Sequence, residues 1–324
     1  MAVAFAAPAG AADADKTYVM KLSTATLNDS QHEWIKEYVA AVEKDSGGRI
    51  KAEIYPASQL GTTPRQIEGT QLGSIQGVIL PPEFMVGVDE RFEALSAAGV
   101  FHDIEQAERV IADPAFAKMF LALGGDKGLI GVSLFISCPA SIITRNPVRH
   151  LAEFKGLKLR VLASSFQNEQ ITRLGATPVA MTLGDVMPGL QQGTIDGAVA
   201  TVTSFTPLHF YEAAKYLTET GQSYVFSVTE LSKRWFDGLP ADLQKILVED
   251  GAKEARAIVP WQIKFIAEQR QLWMAKGGEI IALPQDEQDR MVKNLASSND
   301  DLTKSKPALK ASYDALLAAA ARAK

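Results

Sequence analysis

The chain has 324 residues and a mass of 35.0 kDa, more than a single hydrophobic core usually holds, with a net charge of -5 and a pI near 5.5. Hydrophobic residues at 47% and charged residues at 22% exclude a disordered or fibrous class, and the lack of a Lys/Arg run excludes an extended nucleic-acid or anionic-membrane surface. The single cysteine, Cys138, leaves no intrachain disulfide, and His32, His102, His150 and His209 lie far apart without metal-ligand spacing, so neither a metal nor another cofactor is expected.

The first twelve residues are small and apolar and end in Ala-x-Ala steps such as Ala9-Gly10-Ala11, ahead of the polar stretch from Asp13 to Lys16. This reads as the back half of a secretory signal, so residues 1–15 are expected to be a signal peptide remnant and the mature protein to be periplasmic. No later stretch reaches the ~18 consecutive apolar residues that a membrane-spanning helix needs.

A strand is expected over 18–24, then a helix over 31–44 with Trp34, Ile35, Tyr38, Val39 and Val42 at helical spacing, ended by Asp45-Ser46-Gly47-Gly48. A strand over 49–55, a helix over 63–71 and a helix over 104–111 continue a strand and helix alternation, which implies a mostly parallel sheet with ligand-binding loops at the carboxyl ends of its strands. A second lobe is expected to begin near Cys138, with strands over 141–144 and 157–161 and a closing helix over 207–216. After a strand over 223–228, a long helical tract runs from Pro240 to about Lys276, and Pro260 inside it predicts a kinked or broken helix passing between lobes. A short strand over 279–283 and a helical tail over 285–324 complete the chain.

One self-similarity stands out. Residues 69–79 and 189–199 align without gaps, sharing Gly69/Gly189, Gln71/Gln191, Gly73/Gly193, Ile75/Ile195 and Gly77/Gly197. In both copies a helix-like stretch ends at a glycine suited to a left-handed cap, and an apolar strand follows. Two similar α/β lobes are therefore expected, the first over 16–137 with 226–262 returning to it, the second over 138–225 with 263–324 returning to it. Such crossing back and forth is how hinge-bending receptors are wired.

Nucleophile elbows, phosphate loops, dinucleotide fingerprints and His-Glu-x-x-His are all missing from the sequence. The charged residue that invites a chemical reading is Arg160, on an alternating strand whose Leu157, Leu159 and Val161 face the other way. A guanidinium fixed on a rigid element suits bidentate capture of a carboxylate. From strand geometry alone, a solvated arginine on a strand edge remains open. Gln31, Glu83, Ser137, Phe166, Met181, Thr201 and Phe205 fall in expected loops at strand ends and are further cleft candidates, Phe166 and Phe205 as rings that stack on a flat ligand body.

Three stretches, 154–161 (Phe-Lys-Gly-Leu-Lys-Leu-Arg-Val), 190–197 (Leu-Gln-Gln-Gly-Thr-Ile-Asp-Gly) and 45–51 with Gln59-Leu60-Gly61, resemble the solute-binding receptors of tripartite ATP-independent periplasmic (TRAP) transporters of the DctP type. The resemblance covers nearly the whole chain from Lys16. It implies an α/β two-lobed periplasmic-binding-protein fold with a long hinge-spanning helix, a carboxylate ligand paired with Arg160, and TRAP membrane permease subunits as partners, with no nucleic acid and a monomeric state. Ala140 stands where the sialic-acid-binding members carry a second arginine, Pro81 where they carry an acidic residue, and apolar residues follow Gly197 where the family often has Asn. Against a sugar acid these substitutions leave hydroxyls unpaired at ~1–3 kcal/mol each. A non-enzymatic receptor for a small organic acid is therefore expected; a ligand-sensing module or an enzyme on a bilobed scaffold are the other classes, and turnover of a bound ligand separates the last of these.

Overall fold

A computed structural model describes residues 16–323; the expected signal segment, residues 1–15, lies outside the described residues. In chain order the elements are β1 (Tyr18–Ser23), α1 (Ser30–Asp45), β2 (Ile50–Tyr55), α2 (Thr63–Leu72), β3 (Gly77–Leu80), α3 (Ile104–Ile111), α4 (Pro114–Leu121), β4 (Leu129–Thr144), β5 (Lys158–Val161), α5 (Ser165–Arg173) and β6 (Thr177–Ala180). There follow α6 (Val186–Gln192), β7 (Gly197–Ala200), α7 (Val202–Phe205), β8 (Tyr216–Ser232), α8 (Lys233–Phe236), α9 (Ala241–Ala257), α10 (Val259–Ala275), β9 (Glu279–Ala282), α11 (Gln285–Ala296), α12 (Asn299–Lys304) and α13 (Pro307–Arg322). Among the described residues, no helix is long and apolar enough to cross a membrane.

The strands form one sheet in the order β2-β1-β3-β8-β4-β7-β5-β6, and β9 pairs with the first residues of β8 (Tyr216–Glu219), beyond the reach of β3. Two long strands, β4 with 16 residues and β8 with 17, pair antiparallel from Leu129↔Ser232 to Thr144↔Tyr216 and thread both lobes. The peripheral pairs β1/β2, β1/β3, β5/β6 and β5/β7 are parallel, whereas β3/β8, β4/β8 and β4/β7 are antiparallel. The expected mostly parallel sheet is thus corrected at its centre, because the chain passes between lobes on strands that run in opposite directions. Their pairing slips between Ile136 and Cys138 and again between Pro139 and Ser141, where Gly221 of β8 sits at φ 63°. Bulges bend a strand and break its ladder, so the joint between the lobes falls here.

Each lobe packs helices on both faces of its part of the sheet. In the first, Trp34 and Tyr38 of α1 stack at 4.6 Å and pack with Leu243 and Leu247 of α9, while Phe92, Phe116 and Phe120 fill the opposite face. In the second, Phe205, Phe210 and Trp273 form one cluster and Phe154, Leu159, Val161 and Ile171 the other. The expected broken helix is present: α9 ends at Ala257 and α10 starts at Val259, with Pro260 in its first turn, where its missing N–H costs nothing. α9 lies on α1 and β4, and α10 on α7 and β9.

Two further expectations are corrected. Residues 207–216 do not form a helix: His209 takes a left-handed conformation at φ 59°, one 3-10 turn follows (Phe210–Glu212), and Tyr216 already belongs to β8. The tail does not remain in the second lobe, because α13 buries Leu309, Tyr313 and Leu316 in the first-lobe cluster beside Phe92 and Val110. Its apolar face found a partner that sequence spacing does not identify.

Candidate ligand-binding cleft between the lobes

The repeat noticed in the sequence is a structural duplication. Gly73 and Gly193 cap α2 and α6 at φ 85° and 72°, and in each copy two amides return to one carbonyl: Ser74 and Ile75 to Gly69, Thr194 and Ile195 to Gly189. Each repeat then feeds a strand flanked by one parallel and one antiparallel neighbour, β3 between β1 and β8, β7 between β5 and β4. The ends of these matched strands face each other across one cavity of about 490 Å³, its mouth included. Ala25 and Leu162 line it after β1 and β5, Thr63 from the first turn of α2 and Leu183 from the 3-10 turn before α6, and Leu80-Pro81 and Ala200-Thr201 from the ends of β3 and β7. Phe84 and Ser204 extend the pairing by one turn, and Ser137 and Val225 enter from the long strands.

Arg160 is the one charged residue among the lining side chains, and it is 2% exposed. Its Nε donates to the carbonyl of Met181 at 3.0 Å and its Nη1 to the carbonyl of Val199 at 2.9 Å; Nη2 takes part in neither bond. The Phe84 ring centroid lies 6.0 Å from the guanidinium carbon. Among the described residues Arg160 forms no ion pair; the charges that act on it, Glu83 and then Asp185, stand farther off, and burial lowers its pKa to about 10. A buried cation held by carbonyl dipoles without a counter-ion is costly unless an anion joins it. The sequence pattern that put Leu159 and Val161 into the core turns Arg160 to the opposite face, as alternation requires.

Of the other sequence candidates, Gln31, Ser137 and Thr201 line the cavity. Gln31 Oε1 accepts from Thr24 Oγ1 at 2.9 Å, and Thr201 caps α7 through the Ser204 amide at 3.2 Å. The Ser137 carbonyl accepts from Ser30 Oγ and from Gln262 of α10, tying the lobe joint to both sides. Met181 contributes its carbonyl to Arg160 while its side chain packs on the second-lobe core. Phe166 and Phe205 do not line the cavity. Phe166 is buried in the first-lobe cluster, 6.3 Å from Tyr313, and Phe205 lies edge-on to Phe210 at 5.6 Å. Their helical faces point to core, and the aromatic ring that lines the cavity is Phe84, which the sequence reading missed. The signal was available: Phe84 stands as far after the first repeat as Ser204 stands after the second.

Two buried carboxylates lie beside the cavity. Asp29 caps α1, accepting from Gln31 N, His32 N and Thr26 Oγ1 and, across the cleft, from Ser204 Oγ at 3.5 Å; burial raises its pKa to about 6 against those bonds. Glu83 follows Pro82, its Oε1 accepting from Ser96 Oγ at 3.0 Å, and burial raises its pKa to about 7. Glu83 does not line the cavity itself.

The profile of the family described as "Bacterial extracellular solute-binding protein, family 7" (DctP) matches residues 23–305. The C4-dicarboxylate-binding periplasmic protein DctP of Rhodobacter capsulatus is 29% identical over 206 residues, which are 62% of this chain and 61% of that protein, so the match spans less than two thirds of the relative's length. The 2,3-diketo-L-gulonate-binding periplasmic protein YiaO of Escherichia coli is 28% identical over 244 residues, 75% of this chain and 73% of that protein. A TRAP periplasmic solute-binding protein of Desulfovibrio salexigens with bound orotic acid superposes with a TM-score of 0.90 at 19% identity, covering 95% of this chain and all of that one. The sugar acid binding protein DctPAm of Advenella mimigardefordensis, in complex with galactonate, superposes with a TM-score of 0.89 at 20% identity over 95% of this chain and 99% of that one. These likenesses carry the two-lobed fold.

Proposed function

The chain belongs to the bacterial extracellular solute-binding protein family 7, and from that premise we propose that it is the periplasmic receptor of a TRAP transporter, closing its lobes on a small organic acid and presenting it to membrane permease subunits. The observation that carries this reading is Arg160, a buried guanidinium without an ion-pair partner among the described residues, aimed at a cavity lined from both lobes. A carboxylate placed there completes the charge, and its charge-assisted bonds are about twice as strong as neutral ones. Binding without turnover is the reading that the solute-binding relatives support; in keeping with it, Cys138 is buried with its thiol pushed up to about 12, and the Thr201 and Ser137 hydroxyls bond to the hydroxyls of Thr203 and Ser227.

The ligand class follows from the wall. One cation among lining residues such as Leu80, Pro81, Phe84, Leu162, Leu183 and Val225 favours a monocarboxylate with an apolar or aromatic body, rewarded by ~25 cal/mol per Å² buried, with a short dicarboxylate or keto acid next and sugar acids last. Closure follows from the two-sided lining, since only the approach of both lobes gives the ligand all its contacts. A thermal-shift screen of benzoate, pantoate, succinate and galactonate tests the class: stabilisation by the first two supports it, and stabilisation by galactonate alone refutes it. X-ray scattering with and without a stabilising acid tests closure, with a smaller radius of gyration expected in the bound form and identical curves refuting it.

A further inference from the structure

Arg160 raises a question that carboxylate capture alone does not answer: what balances its charge when the cleft holds no acid. The groups around it narrow the choice. Glu83 and Asp185 are the acids whose charge it feels, Glu83 the more strongly, and Glu83 belongs to the same 3-10 turn as Phe84, whose ring faces the guanidinium. Glu83 is 1% exposed; one oxygen is held by Ser96 Oγ at 3.0 Å, and Oε2 has no hydrogen-bond partner among the described residues. Arg160 is the cation whose charge acts on Glu83; the other elements around this turn bring none within hydrogen-bond distance of it among the described residues. The 3-10 segment Glu90–Ser96 brings Glu93, whose carboxylate is already met by Lys306 Nζ at 2.9 Å and by the Ser165 amide at 2.6 Å. α2 brings Arg65 and Glu68, both exposed, and β8 brings the fully buried Glu230.

We propose that Glu83 is a proton-exchanging counter-ion of the binding site: ionised when the cleft is free, it balances Arg160, and when a carboxylate ligand takes that role it binds a proton from solvent and becomes a neutral acid. The proposal rests on the receptor reading above. The step is balanced by one proton per ligand, Glu83 carboxylate plus solvent proton giving the carboxylic acid, with no redox partner. Its physical basis is that two anions cannot share one buried cation in a cavity of low polarity without one of them being neutralised. Burial has already brought Glu83 close to neutrality in its proton equilibrium, its pKa near 7, so the added negative charge of a ligand falls where a proton is readily bound. The consequence is an acid receptor whose affinity rises as the pH falls, which sets Glu83 as a determinant of affinity that never touches the ligand.

Titration calorimetry of the intact wild-type protein with benzoate and with pantoate, in buffers of different ionisation enthalpy at pH 7.5, measures the proton directly. Uptake of about half a proton to one proton per ligand is expected, with affinity falling up to about tenfold per pH unit above pH 7. The Glu83→Gln variant keeps the Ser96 bond and is expected to bind at pH 8 as tightly as wild type binds at pH 6, without proton uptake. Binding by wild type with no dependence on buffer, or proton uptake that persists in Glu83→Gln, overturns the proposal and leaves the receptor reading intact. No binding of these two acids, nor of succinate or galactonate, overturns both, and the wild-type measurement decides even if the variant does not fold.

Discussion

The two lobes place their first parallel strands in the same setting, yet one bears a serine where the other bears an arginine. In β1, Leu22 and Ser23 pair with Gly77 and Val78; in β5, Leu159 and Arg160 pair with Gly197 and Ala198. Both polar residues are buried at the same height, but Ser23 closes on the carbonyl of Gly77 at 3.4 Å while Arg160 reaches across two strand ends to Met181 and Val199. The duplicated architecture therefore supplies the cavity, and one departure from the duplication supplies its charge. The buried acid whose charge acts most on Arg160, Glu83, stands on the first-lobe side of the cavity and the buried cation on the second.

The largest effect expected from this asymmetry is on ligand affinity. Arg160→Ala and Arg160→Lys should each weaken carboxylate binding by roughly 100-fold, since lysine is a point charge without the planar fork, whereas Ser23→Ala should change affinity less than about threefold. Calorimetry on the three variants would remove the asymmetry from the account if Arg160→Lys bound like wild type.

A second contrast lies in the glycines that start β3 and β7. A methyl group on Gly197 would overlap the backbone carbonyl of Ile143, while on Gly77 it would meet Leu22 and Leu231 at 2.6 and 2.7 Å, both side-chain methyls able to shift. Gly197→Ala should cost about 3 kcal/mol of stability and Gly77→Ala about 1 kcal/mol. Equal losses in urea unfolding would mean that the two strand starts are packed alike.

The third contrast concerns pH. Glu230 is fully buried with neither oxygen partnered among the described residues, and burial holds its pKa well above the ordinary carboxylate range. Below the unfolded-state pKa of about 4.5 both states are protonated and nothing is lost. Above it the unfolded state releases a proton that the folded state retains, so stability falls with rising pH by up to about 1.4 kcal/mol per pH unit. Glu230→Gln should flatten that fall between pH 5 and 8, and an unchanged slope would show that Glu230 is not the group titrating. The smallest effect expected is at the closing contact: Ser204→Ala removes the bond to Asp29 and should weaken binding by about threefold or less.

Most of the architecture was legible because its signals are local. Helix α1 follows from the spacing of Trp34, Ile35, Tyr38 and Val42, the break at Ile258 from Pro260, and the duplication from five matched residues with two capping glycines. The direction of Arg160 was legible because strand alternation fixes it, but its place at a cavity was not, since alternation leaves a solvated edge arginine equally open. The long-range features were not. Antiparallel pairing of β4 with β8 and the docking of α13 on the first lobe depend on contacts between distant residues. Phe166 and Phe205 were misplaced because a loop position in sequence does not reveal which face of the next helix turn a ring occupies. Applying the repeat as a ruler from Ser204 back to Phe84 would have found the aromatic wall.

The central claim, that an organic acid is held by the single buried cation of this cleft, is tested most directly by native mass spectrometry of wild type and Arg160→Ala after incubation with an equimolar mixture of benzoate, pantoate, succinate and galactonate. The account predicts that wild type retains one monocarboxylate per chain and the variant retains none. Equal retention by both proteins, or no acid on wild type, would contradict it.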